Sequence, residues 1–233
     1  MKIKNAIILC AGFGKRLRPL TKKTPKPLIK ISEITLLENT IRFLCSIKIK
    51  KIFINIHYLG DQIRIFLKKN KFDVDIKIID ESKKLLNTGG GALNMSKKIK
   101  NDKFFILNPD TIWGKNYKKD FYRLEKTYFR YKKPVMLLVS KKKSFDKSFK
   151  GDFNLNNKKQ ILKSYKNNYI YTGAQLVDKS FFKGKKIKSF PMSIVWKKLI
   201  KKKEILAELS DNSFFHVNSL KTYKKLCKKK LLI

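Results

Sequence analysis

A glycine- and proline-rich stretch near the start of the chain limits what this sequence can fold into more than any other feature. It runs from Leu9 to Thr21, is closed by Pro25-Lys26-Pro27, and follows an apolar segment at 6–9 that is typical of a buried strand. Glycines allow φ > 0 and bring backbone N–H groups close to a ligand, and successive N–H groups form an anion-binding concavity. The prolines disfavour a helix here. The stretch therefore predicts a phosphate-binding loop after the first strand.

The charged side chains of this loop fit the same kind of ligand. Arg16 and Arg18 carry guanidinium groups that match phosphate oxygens, and Lys26 adds a point charge. A bare G-x-G occurs in many surface turns, but here the whole pattern G-x-G-x-R-x-x-P-L-T-x-x-x-P-K-P is present without a gap. We expect this loop to hold a nucleoside triphosphate.

Composition indicates one globular domain spanning residues 1–233, with a hydrophobic fraction of 42%. The net charge of +40 raises nucleic acid as a partner. The excess is nearly all lysine, spread along the chain among isoleucine and asparagine, which favours coding bias on solvated faces. The aromatic residues lie in apolar runs, where burial is expected instead of base stacking. A non-enzymatic basic RNA-binding protein stays the alternative of another class, and nucleic acid is not the expected partner.

The spacing of the cysteines and the lengths of the apolar runs indicate in which cellular compartment the protein is found. The three cysteines have neither paired nor metal-binding spacing, which indicates a reducing environment. The apolar run near the start is shorter than a signal peptide needs, and none approaches a membrane span. We predict a cytoplasmic protein with no membrane partner, either a monomer or a homodimer.

Short apolar strands alternate with amphipathic helices along the chain, which predicts an α/β fold with a doubly wound, mostly parallel sheet. Further strands are predicted at 51–57, 73–79, 103–107, 134–139, 169–177, 205–208 and 214–217, with a hairpin at 151–162. Helices are predicted from Thr35 to Leu44, and at 60–69, 92–99, 117–131, 190–201 and 219–229. Ligands of such sheets lie at the carboxyl ends of the strands.

Two later motifs fall at such strand ends. Thr88-Gly89-Gly90-Gly91 leads into the helix predicted at 92–99, and its glycines are expected to present free N–H groups. Asp110 directly follows the strand at 103–107, where an α/β enzyme places a magnesium ligand. The alternative for Asp110 is a simple helix N-cap.

The order of motifs resembles the sugar-1-phosphate nucleotidyltransferases along nearly the full length. The matching motifs are the first loop, Asn-x-His-x-x-Gly around His57, Thr-Gly-Gly-Gly, Asn-x-Asp at 108–110, Gly-Asp-Phe at 151–153 and Thr-Gly at 172–173. The size and Gly-Asp-Phe look most like N-acetylmuramate-1-phosphate uridylyltransferases, with mannose-1-phosphate guanylyltransferases the nearest competitor. The resemblance implies a Rossmann-like fold and the transfer of a nucleotidyl group from a nucleoside triphosphate to a sugar 1-phosphate, with release of pyrophosphate. It favours UTP as the donor and N-acetylmuramate 1-phosphate as the acceptor.

The resemblance also implies roles for individual residues. The residues expected to bind the nucleotide are Ala11, Gly12, Gly14, Lys15, Arg16, Lys26, Thr88, Gly89 and Gly90. Those expected to line the sugar pocket, with the hairpin region, are Asn108, Gly151, Asp152 and Gly173. Three residues would act in catalysis: Arg16 on the departing pyrophosphate, Lys26 where the reacting phosphates meet, and Asp110 on Mg²⁺.

The main departure from the family pattern is His216-Val217-Asn218-Ser219, where related uridylyltransferases carry Asp-Val-Gly-Thr with a second metal-binding Asp. Imidazole suits Mn²⁺ better than Mg²⁺. His216 is thus a candidate metal ligand beside Asp110, and Mn²⁺ is a possible alternative to Mg²⁺. The other readings are that His216 contacts phosphate, that Asp110 holds the metal with waters while His216 is an ordinary strand residue, or that the chain is an inactive homologue.

Overall fold

A central sheet of seven strands organises the protein, whose computed structural model describes residues 1–229. The strands are β1 (Asn5–Leu9), β2 (Lys30–Ile31), β3 (Ile34–Thr35), β4 (Lys51–Ile56), β5 (Asp75–Asp80), β6 (Lys103–Leu107), β7 (Val135–Ser140), β8 (Asn154–Leu155), β9 (Ile161–Leu162), β10 (Tyr169–Asp178) and β11 (Leu206–Ser210). The α-helices are α1 (Leu20–Lys23), α2 (Leu36–Ser46), α3 (Gly60–Lys69), α4 (Asn87–Ser96), α5 (Tyr117–Tyr131), α6 (Ser193–Lys201) and α7 (Leu220–Cys227).

The order of the strands across the sheet is β11-β7-β10-β6-β1-β4-β5. Every neighbouring pair is parallel except the two that β10 makes, with β6 and with β7. The predicted α/β fold with a mostly parallel sheet is confirmed. The predicted hairpin is present as the antiparallel pair β8–β9. Within residues 1–229, none of the helices combines the length and the apolar character that a bilayer crossing needs.

Residues of β1 show how the two faces of the sheet are buried. Ile7 and Ile8 are both fully buried, but successive strand side chains point to opposite faces. Ile8 belongs to the cluster that includes Leu37 of α2 and Phe121 of α5. Ile7 belongs to the cluster that includes Met95 of α4. Because helices cover both faces, the central strands read as continuous apolar runs.

The predicted strand at 214–217 is wrong. Phe214 forms a single bridge with Ser144, and His216 forms one with Thr111, so the segment crosses between two elements without joining a ladder. An apolar run alone does not distinguish a buried crossing from a strand.

The prediction that the prolines disfavour a helix in the first loop is also wrong. Single turns form at 15–17, in α1 and at 26–28. Pro19 and Pro25 occupy the N-cap positions of the second and third turns. A helix start has no internal partner for its first N–H groups, so proline costs little there.

The second glycine motif lies inside α4, which begins at Asn87 instead of Ala92. The N–H groups of Gly89 and Gly90 are not free, because both donate to the carbonyl of Phe190, at 2.9 and 3.1 Å. A Cβ on Gly90 would lie 2.1 Å from the carbonyl oxygen of Lys188, and one on Gly89 would lie 2.4 Å from the ring of Phe190. These glycines let a distant segment pack directly on the helix backbone.

We expect Gly90→Ala to destabilise the fold by about 1–3 kcal/mol, since the added methyl group must displace backbone at Lys188. Gly114→Ala is the matched control, because its Cβ would have nothing within 4 Å. Urea denaturation of both variants measures the difference. Equal stability of the two would contradict the contact between α4 and residue 188.

Candidate active site

A cavity of about 440 Å³ opens at the carboxyl ends of β1, β4 and β6. It brings together most of the residues that the sequence selects for a nucleotide. The residues selected for the nucleotide that line it are Ala11, Gly12, Gly14, Lys15, Arg16, Lys26 and Thr88. Asp110, selected for Mg²⁺, and Asn108, selected for the sugar pocket, line the same cavity. The carboxyl edge of the parallel strands is where α/β folds bind their ligands.

The first loop reverses its direction at Gly14, where the backbone has a positive φ and leaves no room for a side chain. Its φ is +61°, and a Cβ there would lie 2.9 Å from the side chain of Thr21 and 3.1 Å from that of Lys26. The carbonyl of Gly14 accepts hydrogen bonds from the Thr21 hydroxyl at 3.0 Å and from the Leu17 N–H at 2.9 Å. This packing brings Lys26 back to the loop, while Lys15 and Arg16 stay exposed at the cavity.

Asp110 and Lys26 form an ion pair at the base of the cavity, in which Lys26 Nζ donates to Asp110 Oδ2. The two side chains are only 16% and 14% exposed. Burial opposes ionisation of Asp110, but the nearby His216 and Lys26 lower its pKa to about 2. Asp110 is therefore a carboxylate at neutral pH, with its second oxygen, Oδ1, buried and without a hydrogen-bond partner among residues 1–229.

His216 lies beside this pair but outside the lining of the cavity. Its Nδ1 is 3.6 Å from Asp110 Oδ1 and 3.2 Å from the hydroxyl of Thr111. That hydroxyl donates its proton to the carbonyl of Thr172, so the hydrogen bond with His216 requires a proton on Nδ1. Burial lowers the pKa of His216 below its usual value, so the ring is neutral at pH 7 and Lys26 supplies the positive charge at Asp110.

The side chains around Asp110 are compatible with a magnesium ion bound through the single carboxylate of Asp110. Within residues 1–229, no cluster of three or more His, Cys, Asp or Glu side chains is placed to hold a metal ion. Mg²⁺ is commonly bound by one or two carboxylates, with substrate phosphates and waters as its other ligands. The free Oδ1 of Asp110 suits such a site, whereas the protonated Nδ1 of His216 does not. The geometry thus favours Asp110 with waters over His216 as a second ligand.

Gly173 is placed against Asn108 at the edge of the cavity. The N–H of Asn108 donates to the carbonyl of Gly173 at 2.8 Å. Gly173 has a φ of +95°, and a Cβ there would lie 3.1 Å from that of Asn108. The pairing of β10 with β7 shifts register between Tyr171 and Gln175, so Gly173 lies in a bulge. Bulges and strand glycines often accompany ligand sites.

A second, smaller cavity of about 210 Å³ contains Asp152. Its lining is Asp152, Phe153, Lys163, Tyr171, Ser193, Trp196, Lys197 and Ile200. The carboxylate of Asp152 accepts the N–H of Tyr171 at 2.9 Å, and the Tyr171 ring packs edge-on against Trp196. Gly151 lines neither cavity: it has a φ of +87°, and a Cβ there would lie 2.3 Å from the carbonyl oxygen of Asn167.

A hydrogen bond from Met192 to Thr88 links the linings of the two cavities. Thr88 lines the first cavity, and its hydroxyl accepts the N–H of Met192 at 2.9 Å. The next residue, Ser193, lines the second cavity. Gly89 and Gly90 are buried behind this contact and line neither cavity, so their predicted contact with the nucleotide stays a prediction.

Two buried polar residues at the site received no role from the sequence, although Asn55 is the first residue of the Asn-x-His-x-x-Gly motif. Asn55, at the end of β4, lines the first cavity and accepts the N–H of Cys10 at 2.8 Å. Glu81, just after β5, accepts from Asn55 Nδ2 at 2.9 Å and from the N–H of Leu86 at 3.0 Å. The available signal was a polar residue at the end of each of two successive strands. The nearby His57 packs edge-on against Phe13 and does not line the cavity.

Lysines also surround a groove at the opposite edge of the sheet, before β7 and β11. The charged residues of its lining are Lys132, Lys133, Lys183, Lys185, Lys198, Lys202 and Glu204. This groove is remote from the carboxyl ends of the parallel strands. The RNA-binding alternative stays a prediction.

A seven-stranded, mostly parallel sheet with a glycine-rich, cationic loop and an acidic residue shortly after β6 at one cavity is typical of the α/β proteins that bind nucleotides. Residues 5–144 match the Nucleotidyl transferase family. The chain belongs to this family.

Curated relatives differ in base and sugar. One is an N-acetylmuramate alpha-1-phosphate uridylyltransferase of Caulobacter vibrioides, 31% identical over 113 residues, covering 47% of each chain. Another is a D-glycero-alpha-D-manno-heptose 1-phosphate guanylyltransferase of Campylobacter jejuni, 34% identical over 108 residues, covering 46% of this chain and 48% of the relative. The chain spans about half the length of these relatives.

Solved structures share the fold. HddC from Yersinia pseudotuberculosis superposes with a TM-score of 0.79 at 19% identity, over 97% of this chain and 99% of that one. A second structure of HddC, complexed with GMP-PN, gives a TM-score of 0.78. At this identity the likeness shows the fold alone.

The pair Lys26–Asp110 should show strong energetic coupling in the unliganded protein. Lys26→Met leaves a buried carboxylate unpaired, whereas Lys26→Met with Asp110→Asn removes both charges. We expect a coupling free energy of about 1–3 kcal/mol in a double-mutant cycle measured by urea denaturation. The exposed pair Lys51–Asp75, in which each side chain is 41% exposed, is the control and should give less than about 1 kcal/mol. Coupling no larger than that of the control would contradict the ion pair.

Proposed function

We propose that this protein transfers a nucleotidyl group from a nucleoside triphosphate to a sugar 1-phosphate and releases pyrophosphate. One observation carries the proposal: the glycine loop, Arg16, Lys26 and Asp110 converge on a single cavity at the carboxyl ends of the strands. Membership of the Nucleotidyl transferase family supports it. A second cavity, lined by the Ser193 that directly follows Met192, offers room for the sugar.

The reaction asks for positioning more than for covalent chemistry. An oxygen of the sugar phosphate attacks the α-phosphorus in line, a new P–O bond forms, and the bond to the β-phosphate breaks as pyrophosphate leaves. The N–H groups of the first loop and the exposed Lys15 and Arg16 would hold the triphosphate and neutralise the charge that develops on pyrophosphate. Lys26, held by Asp110, would orient the two reacting phosphates.

Asp110 would hold Mg²⁺ through Oδ1, with phosphate oxygens and waters as the remaining ligands. Bound Mg²⁺ would supply charge neutralisation at the phosphate oxygens. His216 and Lys26 would orient the carboxylate from either side, since the first faces Oδ1 and the second binds Oδ2. In this arrangement His216 is a positioning residue.

For the base and the sugar, we favour UTP and N-acetylmuramate 1-phosphate. The uridylyltransferase relative supports this choice, although guanylyltransferases are equally similar, which makes mannose-1-phosphate guanylyltransferase the alternative. The lining of the second cavity adds a physical reason. Lys163 and Lys197 stand there with Asp152, and an acidic sugar presents a carboxylate that lysine can pair with. A neutral sugar such as mannose offers them no such partner.

Pyrophosphate release over a matrix of UTP, GTP, CTP and TTP with N-acetylmuramate, N-acetylglucosamine and mannose 1-phosphates tests the proposal. We expect the highest kcat/KM for UTP with N-acetylmuramate 1-phosphate. Arg16→Ala should lower kcat by roughly 10²–10³, because one charge contact to the phosphates is lost. The absence of pyrophosphate release with every pair would contradict the activity, and a best rate with GTP and mannose 1-phosphate would contradict the specificity.

The metal assignment makes its own prediction. Asp110→Asn should reduce kcat by more than about 10³ with Mg²⁺ and with Mn²⁺, since the carboxylate proposed to hold the metal loses its charge. His216→Ala should reduce kcat by about tenfold or less and leave the ratio of the Mn²⁺ and Mg²⁺ rates unchanged. Steady-state rates in both metals measure this. A changed ratio in His216→Ala would make His216 a ligand.

A further inference from the structure

We propose that Asn55 and Glu81 are positioning residues that fix the two walls of the nucleotide cavity relative to each other. This inference rests on the proposed function, because it assigns them a role in binding the nucleoside triphosphate. Neither residue touches the reacting atoms on the geometry described above. Their effect passes through the backbone that they hold.

The two side chains form a continuous link between separate parts of the site. Asn55 Oδ1 accepts the N–H of Cys10, directly before the glycine loop, while Asn55 Nδ2 donates to Glu81 Oε1. Glu81 Oε2 accepts the N–H of Leu86, directly before α4. Cys10 lines one wall of the cavity, and the neighbours of Leu86, Leu85 and Asn87, line the other.

The chemistry of Glu81 indicates that this link is more than packing. The residue is 3% exposed, Asn55 is 2% exposed, and within residues 1–229 no cation pairs with Glu81. A buried carboxylate is costly unless it is hydrogen-bonded, and an apolar replacement is often as stable. Only a carboxylate accepts at both oxygens, and here each oxygen receives one N–H from a different wall. A glutamine in the same conformation would place its amide N–H₂ group opposite either the N–H₂ group of Asn55 or the N–H of Leu86, and both of these are donors.

The third glycine of the Thr-Gly-Gly-Gly motif, Gly91, leaves room for the hydrogen bond between Asn55 and Glu81. A Cβ on Gly91 would lie 2.7 Å from both Asn55 Nδ2 and Glu81 Oε1. Gly89 and Gly90 instead make room for the segment at 188–190. Gly91 therefore leaves the space that the link between Asn55 and Glu81 fills, and a nucleotide that spans both walls meets a preset separation.

Isothermal titration calorimetry with UTP or GTP, chosen as the nucleotide that binds wild type, tests the link in the full chain. Asn55→Asp keeps the acceptor for the N–H of Cys10 but places the new carboxylate against that of Glu81. Glu81→Gln places its amide N–H₂ group against the N–H₂ group of Asn55, so that two donors face each other. Each should raise the Kd of the nucleotide by about tenfold or more, because small misplacements in a preorganised site are costly. The KM of the sugar 1-phosphate should change by less than about twofold, since that substrate is proposed to occupy the other cavity.

The double variant Asn55→Asp with Glu81→Gln is the decisive rescue. The glutamine amide then donates to the aspartate, its carbonyl accepts from Leu86, and the aspartate still accepts from Cys10, so all three hydrogen bonds return. We expect its Kd to lie within about threefold of wild type. Asn39→Asp is the matched control, because Asn39 is 4% exposed and makes two hydrogen bonds with the backbone of Trp113, away from the cavity. It should lower thermal stability and leave the Kd unchanged.

The outcomes separate this inference from the activity on which it rests. If the wild type binds nucleotide and the folded variants Asn55→Asp and Glu81→Gln bind it with the same Kd, the positioning role is overturned and the proposed activity is unaffected. A loss of affinity in Asn39→Asp as large as in Asn55→Asp, or a double variant no better than the single ones, also overturns it. A wild type that binds neither nucleotide and releases no pyrophosphate with any pair of substrates overturns the proposed function, and the positioning role with it.

Discussion

The ion pair between Lys26 and Asp110 is the interaction on which the geometry of the site depends. Lys26 closes the first loop, and Asp110 lies three residues after the end of β6, so the pair holds the loop against the segment that follows this strand. Together with the nearby His216, Lys26 lowers the pKa of this buried carboxylate to about 2, with one oxygen bound and the other without a hydrogen-bond partner among residues 1–229. Burial alone would favour the protonated acid, which is a poor ligand for a hard cation. One contact thus sets both the shape and the charge of the cavity.

Local sequence signals were sufficient for most of the fold and for half of the site. Strand and helix periodicity placed the elements of the parallel sheet, and the gapless glycine loop identified the residues that line the first cavity. These features are encoded by neighbours in sequence, through φ preferences, apolar alternation and charge. The same signals could not show that Phe190 would occupy the N–H groups of Gly89 and Gly90, because that partner lies about a hundred residues away. They missed Asn55 and Glu81 for the same reason: a buried polar residue becomes meaningful only when its hydrogen-bond partners are known.

His216 illustrates a different limit. At its position the sequence suggests a ligand, because the corresponding residue in related enzymes is an acid. The structure shows that Thr111 determines which nitrogen carries the proton. Tautomers depend on the surrounding hydrogen bonds and cannot be deduced from residue type. The imidazole nitrogen nearest to Asp110 therefore carries a proton and faces Oδ1, the oxygen that Lys26 leaves unbound.

The direct contact of Gly89 and Gly90 with residue 190 has a mechanical consequence. Backbone hydrogen bonds without intervening side chains join the start of α4 to the segment that begins α6. Main-chain joints of this kind transmit displacements with little loss, because no rotamer can absorb them. The backbone that carries Thr88 and the segment that leads into α6 are therefore joined through the main chain. Any change in the position of residues 188–190 would displace Thr88 at the first cavity and Ser193 at the second together.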